Sequence, residues 1–505
     1  MATRATLHSG AGARRADEAA ATRQPVLTRE IVAPGIVFIL GAIMTILDAT
    51  VVNVALPTLG REFRTSITTI QWVPTIYLLA FASVIPVTGW ASERFGVKRV
   101  WLVSLSLFML GSLLAGLAWS VGALIAFRVV QGVGGGMIIP LGQTMLAQAA
   151  GPKRMGRVMS IVGVPLLLAP IFGPVIGGAI VGAASWRWIF FINLPVGAIA
   201  LLLAVRLLPT VPTRRQERLD VTGVALLSGG VALFLFGLAQ VGSHGSFRDP
   251  LPLAALAAGL ALVAGFCVHA LRVPNPLIDV RLFARRGFAT AAATNFALGV
   301  ALFGVALLLP LYFQIVRGST PLETGLLLIP QGLGAAIAMP IAGALTDRIG
   351  ARRVVPAGVL LALAGTAAYT QISATTAYWY LAAALLLIGA GLGATITPSM
   401  AVAYETLERA AVPRATSAIS AIQRIAGSLG TALLAVGLQR AMKAELPGFD
   451  GGLAEASALA ARAPARFAPP LADAFGTTFW IAFGLTALGL VVALLLPSRR
   501  RDAAP

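Results

Sequence analysis

The chain has 505 residues, 58% of them hydrophobic and only 11% charged, with a mean hydropathy of +0.87. Water-soluble domains are about 45–50% apolar and about 25% charged, because their surface-to-volume ratio leaves many positions wet, so this composition excludes a soluble globular fold. The net charge of +19 does not point to nucleic acid, since the Lys and Arg residues sit in short loops between apolar spans and no basic domain or aromatic platform stands outside them.

In chain order, residues 1–30 are polar and Arg-dotted. They lack an apolar core followed by a cleavage site, and read as a cytoplasmic tail. Residues 31–210 hold six apolar spans near Ile31–Leu56, Ile70–Ala91, Val100–Leu117, Val121–Ala147, Val158–Val181 and Ile189–Leu208. Residues 211–286 contribute an inserted pair near Val221–Val241 and Leu253–Leu271. Residues 287–498 hold six more, near Phe288–Leu311, Thr324–Leu345, Val354–Ile372, Tyr378–Met400, Ser417–Leu438 and Thr477–Leu496, before a basic tail at 499–505. Each matches the roughly 20 apolar residues that cross a bilayer. The expected fold is an all-α membrane protein of about fourteen transmembrane helices. The long segment Gln439–Gly476 is expected to carry a short helix over Leu453–Arg462. Cys267 lies in an apolar run without cysteine partners and is expected to be a small buried hydrophobe.

Loop charge orients the chain. Arg94, Lys98 and Arg99, then Lys153, Arg154 and Arg157, then Arg214, Arg215 and Arg218, then Arg281, Arg285 and Arg286, then Arg348, Arg352 and Arg353 all fall on one side, with Arg499–Arg501. Positive loops stay inside, which puts both termini in the cytoplasm of a plasma (inner) membrane.

The turn Gly89-Trp-Ala-Ser-Glu93-Arg94-Phe-Gly96 recurs as Gly343-Ala-Leu-Thr-Asp347-Arg348-Ile-Gly350, each after the second span of a six-span block. Parallel repeats of this kind describe a transporter built from two six-helix bundles. The glycines suit a tight turn. Glu93 or Asp347, pairing with an Arg nearby, can latch the cytoplasmic mouth in one conformation. The stretch Gly132-Val-Gly134-Gly135-Gly136 has neither a preceding strand nor a following Gly-Lys-Ser/Thr, so it reads as helix packing rather than a phosphate loop.

The repeated turn resembles the signature loop of the major facilitator superfamily, the first copy having Glu93 where Asp is usual. Other segments resemble motifs of its fourteen-helix drug:proton antiporter branch (EmrB/QacA type). These are Leu47-Asp48-Ala-Thr-Val-Val-Asn53, Arg128-Val-Val-Gln131-Gly132, Ala169-Pro-Ile-Phe-Gly173-Pro174-Val-Ile-Gly177-Gly178 and Trp186-Arg187-Trp188-Ile-Phe-Phe-Ile-Asn193. The resemblance implies a monomeric, proton-driven exporter of lipophilic drugs or antibiotics, with the proton as coupling ion and no other cofactor. Gly173, Pro174, Gly177 and Gly178 would form its antiporter-motif helix.

Physical chemistry agrees on the coupling site. An intramembrane carboxylate costs about 2.5–3.5 kcal/mol on insertion scales and needs a role or a partner. Asp48 is the one acid well inside a predicted span, and Arg128 lies at a similar depth, on the order of 12–14 Å from the outer end. A carboxylate whose cationic neighbour comes and goes can load and release a proton; the plain alternative is a structural ion pair. Asn53, Gln131, Asn295, Gln314, Gln331 and Arg424 are candidates to line a cavity for a small amphipathic substrate. Export of a native metabolite or peptide fits the same fold. A membrane enzyme or sensor fits poorly, because His8, His244 and His269 complete no acid–His–Ser or metal set.

Overall fold

The computed structural model describes residues 29–150, 152–210, 218–405, 407, 411–446, 449 and 452–496, which contain helices and no strand. The two tails and Arg214 and Arg215 lie outside these residues. So do the side chains of Pro174, Asp347, Lys153, Arg154 and Arg157.

The first half comprises α1 (Arg29–Glu62), a four-residue α2 (Ile67–Ile70), α3 (Trp72–Val84), α4 (Val87–Phe95), α5 (Val97–Gly116), α6 (Val121–Ala150), α7 (Pro152–Ala183), α8 (Trp188–Phe191) and α9 (Asn193–Leu207). The inserted pair is α10 (Val221–His244) and α11 (Pro250–Arg272). The second half comprises α12 (Arg286–Leu311), α13 (Pro321–Leu327), α14 (Ile329–Ile349), α15 (Ala351–Tyr369), α16 (Tyr378–Glu405), α17 (Val412–Glu445), α18 (Leu453–Arg462) and α19 (Pro464–Leu494). Every expected span coincides with a helix or a broken helix, and α18 falls on the expected short helix. Among the described residues twelve helical segments are long and apolar enough to cross a membrane, and the α3–α4 pair, bent by 55°, makes a thirteenth. The 32-residue α7 stands at the fifth expected span.

Lipid offers no hydrophobic drive between helices, so close packing relies on small residues. Gly132 and Gly136 of α6 lie against the backbone of Tyr77 and Phe81 in α3, and Gly134 against Ser104 and Phe108 of α5. This is the packing role expected for the glycine run. Apolar side chains that would be anomalous on a soluble surface face outward, Leu260 and Leu271 of α11 among them. Cys267 is exposed on the same helix, against expectation. In a membrane span an apolar run can face lipid as well as protein, so hydropathy alone does not imply burial.

The halves meet along two seams: α7 packs on α13, α14 and α16, and α17 packs on α4 and α6. Helix α10 lies beside the second seam, against both α3 and α17. The base of the inserted pair is tied by Asp220, which accepts from Gly223 N–H (2.8 Å), from Leu277 N–H (3.3 Å) and pairs with His269 Nε2 (2.8 Å). Burial pushes this carboxyl up, but the three donors outweigh it and hold it below the usual carboxylate range.

Candidate functional site: a buried acid–base cluster and an interbundle clasp

Asp48 sits midway along α1 and is 1% exposed. Arg128 and Gln131, three residues apart, share one face of α6 and are fully buried. Arg128 Nη1 donates to Asp48 Oδ2 at 2.5 Å and to Gln131 Oε1 at 2.7 Å; Gln131 Nε2 donates to Asp48 Oδ1 at 2.8 Å. Asn193, at the first turn of α9, donates to Asp48 Oδ1 (3.1 Å) and to Ser112 Oγ (3.0 Å). The guanidinium also donates through Nε to Val73 O (3.3 Å) and lies 4.0 Å from the centroid of the Tyr77 ring. Charge-assisted hydrogen bonds in a dry site are strong, so this arrangement fixes the Asp48 side chain in place. The depth match between Asp48 and Arg128 thus corresponds to direct contact. Tyr77, Ser112 and Asn193 escaped the sequence reading. Asn193 carried the available signal, an amide at the head of an apolar helix within a quoted motif.

Helix α7 is held against α1 within a turn of this carboxylate. A methyl group on Gly173 would overlap the Thr50 side chain, and one on Gly177 would come 3.1 Å from Val51 O. Gly178 points into open space, with nothing within 4 Å. A Gly173→Val variant should therefore insert normally and lose most transport, whereas Gly178→Ala should keep it. Substrate efflux normalised to membrane expression checks this, and wild-type efflux by Gly173→Val would remove α7–α1 contact from the mechanism.

The helix order puts an even number of expected spans between the repeated turns, and so places both on the same side. Gly96 and Gly350 both take left-handed backbone angles, φ 84° and 83°, as turn glycines. Gly89 serves close approach instead: a methyl there would come 2.9 Å from Arg414 Cα in α17. Glu93 accepts from Arg414 Nε at 3.1 Å and Nη2 at 2.9 Å, and Arg414 Nη1 donates to Pro276 O at 3.0 Å. A clasp therefore joins α4 of the first bundle to α17 of the second. Arg94 stacks 6.0 Å from the centroid of its neighbour Phe95. Arg348 is exposed, and the Asp347 side chain lies outside the described residues.

The cavity candidates disperse. Gln131 belongs to the Asp48 cluster. Asn53 and Asn295 donate to carbonyls of their own helices, Ala49 O (3.4 Å) and Ala291 O (2.9 Å). Gln314 is exposed in a π-turn after α12, and the backbone carbonyl of Gln331 abuts Gly389 of α16. Arg424 of α17 lines a cavity of about 470 Å³ between α3, α10, α12 and α17.

Two six-helix bundles, clasped at one end and carrying a buried acid–base cluster in the first, define a multi-pass membrane transporter rather than an enzyme. The chain belongs to the major facilitator superfamily, whose sequence profile matches residues 38–431. It is 40% identical over 483 residues to the "Multidrug resistance protein B homolog" of Mycobacterium tuberculosis, covering 92% of this chain and 89% of that protein. It is 34% identical over 343 residues to the "Putative multidrug resistance protein MdtD" of Escherichia fergusonii, covering 67% and 71%. Two solved structures share the fold at a TM-score of 0.60. The human organic anion transporter MFSD10 is 17% identical, with 92% of this chain and 100% of that one covered. The proton:xylose symporter XylE is 16% identical, with 93% and 96% covered.

Proposed function

We propose that the chain is a proton-coupled antiporter that exports lipophilic small molecules, drugs or antibiotics among them, across the plasma membrane by alternating access. The observation that carries this reading is the Asp48 carboxylate, 1% exposed and tied to Arg128, Gln131 and Asn193 within one bundle. A buried carboxylate held by a cation gains a proton when rocking of the bundles weakens that hold, so its charge can be exchanged against substrate. The names of the 40% and 34% identical relatives support drugs as substrates. The test is substrate uptake into inverted vesicles with an acidic lumen, expected to stop on adding a protonophore. Uptake that continues without a proton gradient would sink the proposal.

The end carrying the two repeated turns is assigned to the cytoplasm, on the strength of its basic loops. A topology reporter fused after Arg286 should be cytoplasmic, and one fused between Gly451 and Pro464 should be external. Inverted signals would reverse the assignment.

A further inference from the structure

The cavity of about 470 Å³ is walled by Leu78 and Ala82 of α3, Leu238 and Ala239 of α10, and Phe303 of α12, among others. Its polar groups concentrate on α17. Arg424, Gly427, Ser428, Thr431 and Ala435 recur at three- and four-residue spacing and so share one helix face. Arg424 lies ten residues beyond the clasp residue Arg414, on the order of 15 Å along the helix from the turn end. It is thus well inside the apolar thickness.

Unlike Arg128, Arg424 has no countercharge among the described residues. Among the described residues it makes no ion pair and no hydrogen bond; its guanidinium lies 4.2 Å from the centroid of the Phe81 ring. Guanidinium stays charged at any physiological pH. An intramembrane cation without an acid is costly unless something else supplies the charge, and here it borders a roomy, mostly apolar space. The planar fork suits a carboxylate, sulfonate or phosphate bidentately. A cationic ligand in the same space would meet repulsion. Helix α10 closes the side of this space, so the inserted pair supplies one wall of it.

We infer that this cavity is a binding site for an amphipathic anion, with Arg424 receiving the anionic group and the α3, α10 and α12 walls receiving the apolar body. The inference rests on reading the chain as an exporter of amphipathic small molecules. Its test needs neither gradient nor turnover, so the two readings fail separately.

The test uses the full chain in phosphatidylcholine vesicles and a matched pair of probes, pyrenebutanoate and pyrenebutyl-trimethylammonium, with energy transfer from tryptophan as the readout. Wild type should bind the anion more tightly by about ten- to a hundredfold, the span that charge-assisted hydrogen bonds supply. Arg424→Gln should erase that preference, and Arg424→Lys should keep part of it, because charge survives and the fork does not. Ala239→Phe, which narrows the cavity from α10 without adding a tryptophan donor, should weaken both probes. Displacement of pyrenebutanoate by phosphatidylglycerol in wild type, but not in Arg424→Gln, would support the same site with a lipid headgroup as occupant. Displacement by a soluble alkyl sulfonate alone would support a free amphiphile. Equal binding of the two probes by wild type, or an anion preference that persists in Arg424→Gln, overturns the inference.

Discussion

Asp48→Asn should abolish exchange of protons for substrate while leaving the protein inserted and able to bind ligand. Asparagine is close in shape to a protonated aspartate and cannot titrate, so the variant is held in one protonation state. It also changes the cluster. The carboxylate now accepts from Arg128, Gln131 and Asn193, and an amide offers one oxygen in place of two and no charge. Removing one partner of a buried pair typically costs about 3–5 kcal/mol. Here Val73 O, Gln131 Oε1 and the Tyr77 face still receive the guanidinium, so the loss should fall toward the lower end and the bundle should stand. Arg128→Ala should fail too, for a different reason: it leaves Asp48 buried with two neutral amide donors and no cation. The measurement is proton movement on adding substrate to vesicles that carry wild type or Asp48→Asn. An unchanged proton-to-substrate ratio in the Asn variant would exclude Asp48 as the coupling site.

What the sequence made legible follows from which interactions are local. The spans are hydropathic runs and need no partner to be seen, so each has its helix, and the short helix at Leu453–Arg462 stands where expected. Asp48 and Arg128 were legible as a pair because membrane depth supplies one coordinate that a soluble sequence lacks. The break between α3 and α4 went unread, although Pro86 marks it. Asn53 and Asn295 each donate to a carbonyl four residues back on their own helix, a local contact that the sequence does not distinguish from one made across helices. Arg414 was invisible because its partner lies 321 residues away, at a seam that only the assembled bundles create. Arg424 was readable as an intramembrane cation. That no acid among the described residues pairs with it became visible only once its neighbours were placed.

Reversing one charge of the clasp should shift the transporter toward the state open at the turn end, and swapping both should return part of the activity. Arg414 and Glu93 are 13% and 9% exposed at the side chain, so the pair is largely dry, and its disruption approaches the cost of breaking a buried ion pair, about 3 kcal/mol. A bias of that size moves a two-state equilibrium by a factor of about 150. Arg414→Glu places two carboxylates at the seam and should slow cycling by one to two orders of magnitude on that basis, while ligand affinity at a site distant from the clasp changes far less. Glu93→Arg alone should act in the same direction through two cations. The double variant restores opposite charges, but the bond to Pro276 O cannot be made by a carboxylate, so rescue should be partial. Gly89→Leu should reproduce the single variants without touching charge, because its side chain wedges α4 away from the Arg414 backbone, now close enough that a methyl would come to 2.9 Å. Transport rates of the four variants, read as a double-mutant cycle with the glycine variant beside it, separate the two contributions. Wild-type rates in Arg414→Glu, or a double variant no faster than either single one, would mean that the Glu93–Arg414 pair ties the seam without governing the cycle.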